Sequence, residues 1–168
     1  MKKQKVFFLF PWLMVATWAV VIFMFSAETG AQSSQLSEGI TTRIIPFFFA
    51  LLGKSQDTSS MNAAVLVMHG YLREFAHMLE YSVLGLLTYH AVIRTTSFAS
   101  IRISGSFLLC FLYALSDEIH QLFVPERTFQ LIDLCMDSIG ILLGIFLCRL
   151  IAIKIDKQKA KRSGVLHP

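Results

Sequence analysis

The sequence predicts an all-α membrane protein: four transmembrane helices in one bundle, with an interfacial or re-entrant segment between the first two. Three observations predict it. Apolar residues fill 55% of the 168 positions and charged residues only 15%, against about 45–50% and about 25% in a soluble domain. The apolar residues stand in long blocks of the roughly 20 residues that cross a bilayer. Lys and Arg gather at the ends of those blocks. Mean hydropathy is +0.61, and one domain over 1–168, without internal repeats, is the expected organisation.

The net charge of +4 does not point to nucleic acid, because the cations flank apolar runs. Cys110, Cys135 and Cys148 fall inside such runs. They are odd in number and lack metal-ligand spacing, so they read as small buried apolar residues.

The first span is expected at about 6–25, behind Lys2, Lys3 and Lys5. A cleaved signal peptide is the rival, but signal h-regions run to about 7–15 residues. Pro11 lies near the start of this helix, where a missing N–H costs little. Residues 26–60 read as a polar interlude, with Gly30, Ser33, Ser34, Ser37 and Gly39 as loop. Within it 40–52 is apolar, too short to span and interrupted by Pro46, which suits an interfacial or re-entrant segment, or a helix lying against the bundle. The second span is expected at about 73–93, with Gly70 parting it from an interfacial turn. The third is expected at about 101–124, a turn at Pro125, Glu126 and Arg127 follows, and the fourth is expected at about 131–153, ahead of a basic tail.

Orientation follows from the cations. With both termini in the cytoplasm, the inner side of the cell membrane carries Lys2, Lys3, Lys5, Arg94, Arg102, Arg149, Lys154, Lys157, Lys159, Lys161 and Arg162. The outer side carries Arg43, Lys54, Arg73 and Arg127.

This topology brings the polar chemistry to one level near the outer interface. At 100° per residue, Arg73, His77, Tyr81, Leu84 and Thr88 form one stripe on the second helix, flanked by Glu74 and Glu80. On the third, Asp117 and Gln121 are i,i+4 neighbours between Glu118 and His120. On the fourth, Asp133, Asp137, Gly140 and Gly144 share a face, and Gly140-x-x-x-Gly144 allows close helix approach. Ion pairing at helix ends is the ordinary reading of Glu74 and Glu126. Four polar groups between Asp117 and Gln121 call for more, since ionisable residues in lipid are costly.

The segments REFAHMLEY, from Arg73 to Tyr81, and SDEIHQLFVPER, from Ser116 to Arg127, resemble those of the VanZ-like family of small bacterial membrane proteins. The likeness continues through Asp133 and Asp137 to Gly140 and Gly144, includes Phe25-Ser26, and covers nearly the whole chain. Ala27 and Glu28 stand where that family usually has a serine and a glutamine. Glu126 stands where glycine is common, Glu74 where lysine often occurs, and Asp137 where asparagine also occurs. The resemblance implies a four-helix inner-membrane protein, in a family whose founding member is associated with resistance to the lipoglycopeptide teicoplanin. It carries over Arg73, His77, Glu80, Tyr81, Ser116, Asp117, Glu118, Gln121, Arg127, Asp133 and Asp137 as site positions.

Three functions fit. The first is an outward-facing site for a membrane lipid or other amphiphile, such as a lipid-linked envelope component or lipoglycopeptide. Arg73 and Arg127 would grip a phosphate or carboxylate. Glu80, Tyr81, Ser116, Gln121, Asp133 and Asp137 would complete the ligand site. If bonds break, His77, Asp117 and Glu118 are the proton-transfer candidates. The second is a divalent-metal site among the His, Asp and Glu donors, which lack compact ligand spacing. The third is a non-catalytic scaffold or regulatory subunit whose charges pair internally. The sequence names no cofactor and leaves both catalysis and a homo-oligomer open.

Overall fold

The structure, a computed structural model, describes residues 2–53 and 58–162. Lys54 and 163–168 lie outside the described residues, as do the side chains of Lys2, Lys3 and Lys5. Among the described residues five helices follow in order: α1 (Lys2–Ser26), α2 (Gly30–Leu51), α3 (Thr58–Thr95), α4 (Ala99–Gln121) and α5 (Leu131–Arg162). Three contain stretches long and apolar enough to cross a membrane, at Leu9–Ser26, Ala99–Gln121 and Leu131–Arg162.

α1 is apolar almost all round and leaves Leu9, Phe10, Leu13, Val20 and Met24 exposed, as a helix against lipid would. Pro11 lies well inside it rather than near its start. Spanning helices tolerate such a proline because neighbouring groups re-satisfy the backbone.

α2 corrects the expected polar loop. Gly30, Ser33, Ser34, Ser37 and Gly39 belong to one helix that continues through Pro46 and takes in most of the 40–52 run. Its start is fixed by Thr29 and Gln32. The Gln32 amide donates to Thr29 Oγ1 at 3.3 Å, and the Thr29 amide donates to Gln32 Oε1 at 3.1 Å, a capping box. The Ser33 amide donates to the Thr29 carbonyl at 3.1 Å. The other two N-terminal donors are met from the turn between α4 and α5. The Gly30 amide donates to the Pro125 carbonyl at 3.2 Å, and the Ala31 amide to Glu126 Oε2 at 2.9 Å. All four amides that a helix start leaves open are thereby satisfied. Glu126 occupies the left-handed region, φ 62°, where a glycine would be at ease, and its side chain serves as the cap.

α3 is the hub, packed against α1, α2, α4 and α5. It runs unbroken through Gly70, so the expected turn there is absent. Its 38 residues make about 57 Å at 1.5 Å per residue, nearly twice the roughly 30 Å hydrocarbon core. α2 lies antiparallel along its first half, with Thr41 and Ile45 near Met68 and Leu72. α3 and α5 run parallel at close range. A Cβ on Gly140 would strike the Met78 carbonyl, one on Gly144 the Ser82 carbonyl, and one on Gly85 the backbone of Ile141. Beside this seam sits a core of Ile22, Tyr81, Leu84, Cys110, Ala114 and Ile141. Cys110 and Cys148 are buried as expected, but Cys135 is exposed. It points away from the face that carries Asp133 and Asp137, because two helical positions turn the side chain by about 200°.

Gly144→Ala should therefore cost about 1–3 kcal/mol through overpacking, read as a lowered melting midpoint in detergent. Gly39→Ala, where a Cβ meets nothing within 4 Å, should instead stabilise by about 0.5–1 kcal/mol. Equal effects would contradict the seam. Glu126→Ala should lose about 1 kcal/mol with the α2 cap, and Glu126→Gly less, because it relieves the backbone.

Candidate functional site

Two tiers of polar groups stand where α2, α3, α4 and α5 meet. The upper tier is a cleft of about 180 Å³, with Arg73, His77 and Glu80 on one wall, Arg127 and Glu28 at one end, and Ser33 and Ser37 of α2 opposite. The α3 residues follow helical spacing. Arg73 and His77 lie one turn apart, and Glu80 lies three positions beyond His77. Trp18 Nε1 donates to the Glu80 carbonyl at 2.9 Å, which ties α1 to this turn of α3. Arg127 Nε donates to the Glu28 carbonyl at 3.3 Å. Burial, and after it the nearby Arg73 charge, lower the Arg127 pKa from its ordinary value, while Asp117, Glu28 and Asp133 act the other way.

The lower tier is buried. Tyr81, Asp117, Glu118, Gln121, Asp133 and Asp137 are each at most 5% exposed. Gln121 Nε2 donates to Ser26 Oγ at 3.2 Å, a contact to α1. Glu118 Oε2 accepts from the Gln130 amide at 3.2 Å and so helps to seat the start of α5. The rest of the tier is open. Tyr81 Oη and one carboxylate oxygen each of Asp117, Asp133 and Asp137 are buried without a hydrogen-bond partner. Even so, Asp117 lies within hydrogen-bonding reach of Tyr81, Ser26 and Gln121, and Asp133 within hydrogen-bonding reach of Glu74 and close to His77. A buried polar atom without a partner costs about 1–3 kcal/mol, so these close approaches between helices bear on the stability of the tier.

Ten of the eleven positions expected from the sequence stand in these two tiers. Ser116 does not. It is exposed, and its Oγ donates back to the Tyr113 carbonyl at 2.7 Å. His120, counted with the polar group on α4, packs against Phe23 of α1, with ring centroids 4.8 Å apart and the rings tilted by 33°. Among the described residues, no three His, Cys, Asp or Glu side chains converge as a metal would require. Glu28, Ser33 and Ser37 line the cleft, although the sequence reading gave them no place in the site. The Thr29-x-x-Gln32 pattern was the signal that a helix, not a loop, presents the two serines.

Neither a curated protein nor a solved structure matches the chain. A family model, VanZ/LLP1, matches residues 9–152. That stretch takes in α2, α3 and α4 whole and most of α1 and α5, and the chain belongs to the VanZ/LLP1 family.

Proposed function

We propose that the chain spans the cell membrane four times with both termini in the cytoplasm, and that the cleft opens outward to hold an amphiphile with an anionic headgroup. α3 would add a span to the three apolar stretches, crossing from about Arg73 onward despite its charges, with α2 and the first half of α3 at the outer interface. The ligand class is a lipid-linked envelope component or a lipoglycopeptide of the teicoplanin type. One observation carries this reading: Arg73 and Arg127 share the cleft with His77 and Glu80, directly beside buried carboxylate oxygens that have no partner. Two guanidinium forks at a cleft suit a phosphate or carboxylate. The exposed apolar residues Leu36 and Ile40, at its α2 wall, suit a hydrocarbon chain. A scaffold with an internally paired cluster would turn its arginines onto the buried acids, whereas Arg73 and Arg127 both line the cleft.

Bond breaking is a separate step of the proposal. His77 would exchange the proton, with Asp117 or Glu118 as the alternative base.

Arg127→Gln and Arg73→Gln should each weaken capture of a photoreactive lipid-linked wall precursor by about 10–100-fold, the loss of one charge-assisted contact of about 1.5–3 kcal/mol. Asp117→Asn should alter the pool of envelope precursors in cells as deletion of the protein does. Wild-type behaviour from both arginine variants and Asp117→Asn would overturn the site. If the cleft is catalytic, His77→Ala should cost at least about 100-fold and flatten the pH–rate profile; an unchanged profile removes His77 from the chemistry. A cysteine placed at Pro125 should react with an impermeant thiol reagent added outside intact cells. Labelling from the inside only would invert the topology.

A further inference from the structure

We propose that the groove between α4 and α5, at the end of the bundle remote from the cleft, holds one anionic phospholipid with its phosphate on Arg102 and Arg149. The inference is independent of what the cleft binds.

Two cavities meet there. The first, of about 390 Å³, is apolar: Ile139, Leu142, Leu143 and Phe146 of α5 face Ile103 of α4. It ends at Arg149. The second, of about 400 Å³, holds Arg102, Arg149, Tyr89 and Asp156. Ile103 and Arg149 line both, so an apolar slot leads directly to a pair of guanidinium groups. The order of chemistry along the groove, hydrocarbon and then paired cation, is that of a phospholipid entering from the bilayer side.

The arginines are placed for this. Arg149 follows Ile145 by four positions and Leu142 by seven, and so stays on the groove face. Arg102 is half-buried, and its Nε and Nη2 donate to the Thr96 carbonyl at 3.4 and 3.2 Å. That contact orients the guanidinium and leaves three of its five donors available. The chain's charge is sharply polarised. Arg94, Lys154, Lys157, Lys159, Lys161 and Arg162 surround the same end, whereas Asp156 is its one acid among the described residues. Basic pockets between spanning helices recognise anionic headgroups in this way. A zwitterionic lipid carries no net charge and would gain less from this excess of cations over the single Asp156.

The test is native mass spectrometry of the full chain in neutral detergent, titrated with phosphatidylglycerol and, in parallel, phosphatidylcholine. Phosphatidylglycerol should be retained preferentially. Arg149→Gln should weaken it about fivefold, and the Arg102→Gln, Arg149→Gln pair about 25-fold if the contacts add. Leu143→Trp should weaken it too, by filling the slot while every charge stays. Lys157→Gln with Lys161→Gln, in the tail outside the groove, should change it less than twofold. If the paired variant does not stay monodisperse, the exposed Arg149→Gln and Leu143→Trp variants carry the test. Equal retention of both lipids, no loss in Arg149→Gln, a tail variant as damaging as Arg149→Gln, or displacement by inorganic phosphate would each overturn the proposal.

Discussion

The backbones of α3 and α5 touch. Gly85, Gly140 and Gly144 leave no room for a Cβ between the two helices, and the rest of the arrangement depends on that closeness. Lipid tails give helices no hydrophobic reason to associate, so spanning bundles rely on packing and hydrogen bonds. A glycine seam lets the two longest helices supply that packing over several turns. It also sets their register. With Gly140 opposite Met78 and Gly144 opposite Ser82, the acids one and two turns before Gly140 come to rest beside the His77 level of α3. One residue of slip would turn Asp133 and Asp137 toward lipid.

That register has an energetic consequence. Carboxylates this deeply buried are costly unless paired or hydrogen-bonded, and three of them leave an oxygen unanswered. Stability alone would favour apolar replacements of similar size. The neighbouring elements relieve only part of the cost. α1 answers Gln121 through Ser26, which also stands within reach of Asp117, and the turn before α5 answers one oxygen of Glu118. The architecture holds the carboxylates in place at a cost and sets a cleft with two arginines and a histidine next to them.

Much of this was legible in the sequence, and the exceptions have physical causes. α1, α4 and α5 announce themselves as apolar runs because lipid demands continuous helix with every amide paired. The Arg73 to Thr88 stripe and the Asp133 to Gly144 face follow from helical geometry alone, and the structure turns both inward. α2 reads as loop over its opening turns, Gly30 to Gly39, because their composition is that of a loop, whereas over most of 40–52 it is the helix against the bundle that the sequence allowed. Two of its four opening donors find acceptors about 95 positions away, and no local window contains that information. α3 was expected to break at Gly70 because glycine is a poor helix former, yet packing outweighs that intrinsic cost of about 1 kcal/mol. Ser116 lies in the right segment but on the outer face of its helix, about 100° from Asp117. A motif read as a string cannot separate those two directions.

The cap on α2 also sets an order of events during synthesis. A ribosome that has finished α1, α2 and α3 has not yet made Pro125 or Glu126. Until α4 has emerged and its turn folds back, the Gly30 and Ala31 amides lack the acceptors seen in the finished chain. The α2 wall of the cleft is thus secured only after α4 and its turn have been made, and a nascent chain cut before Pro125 cannot complete the pocket.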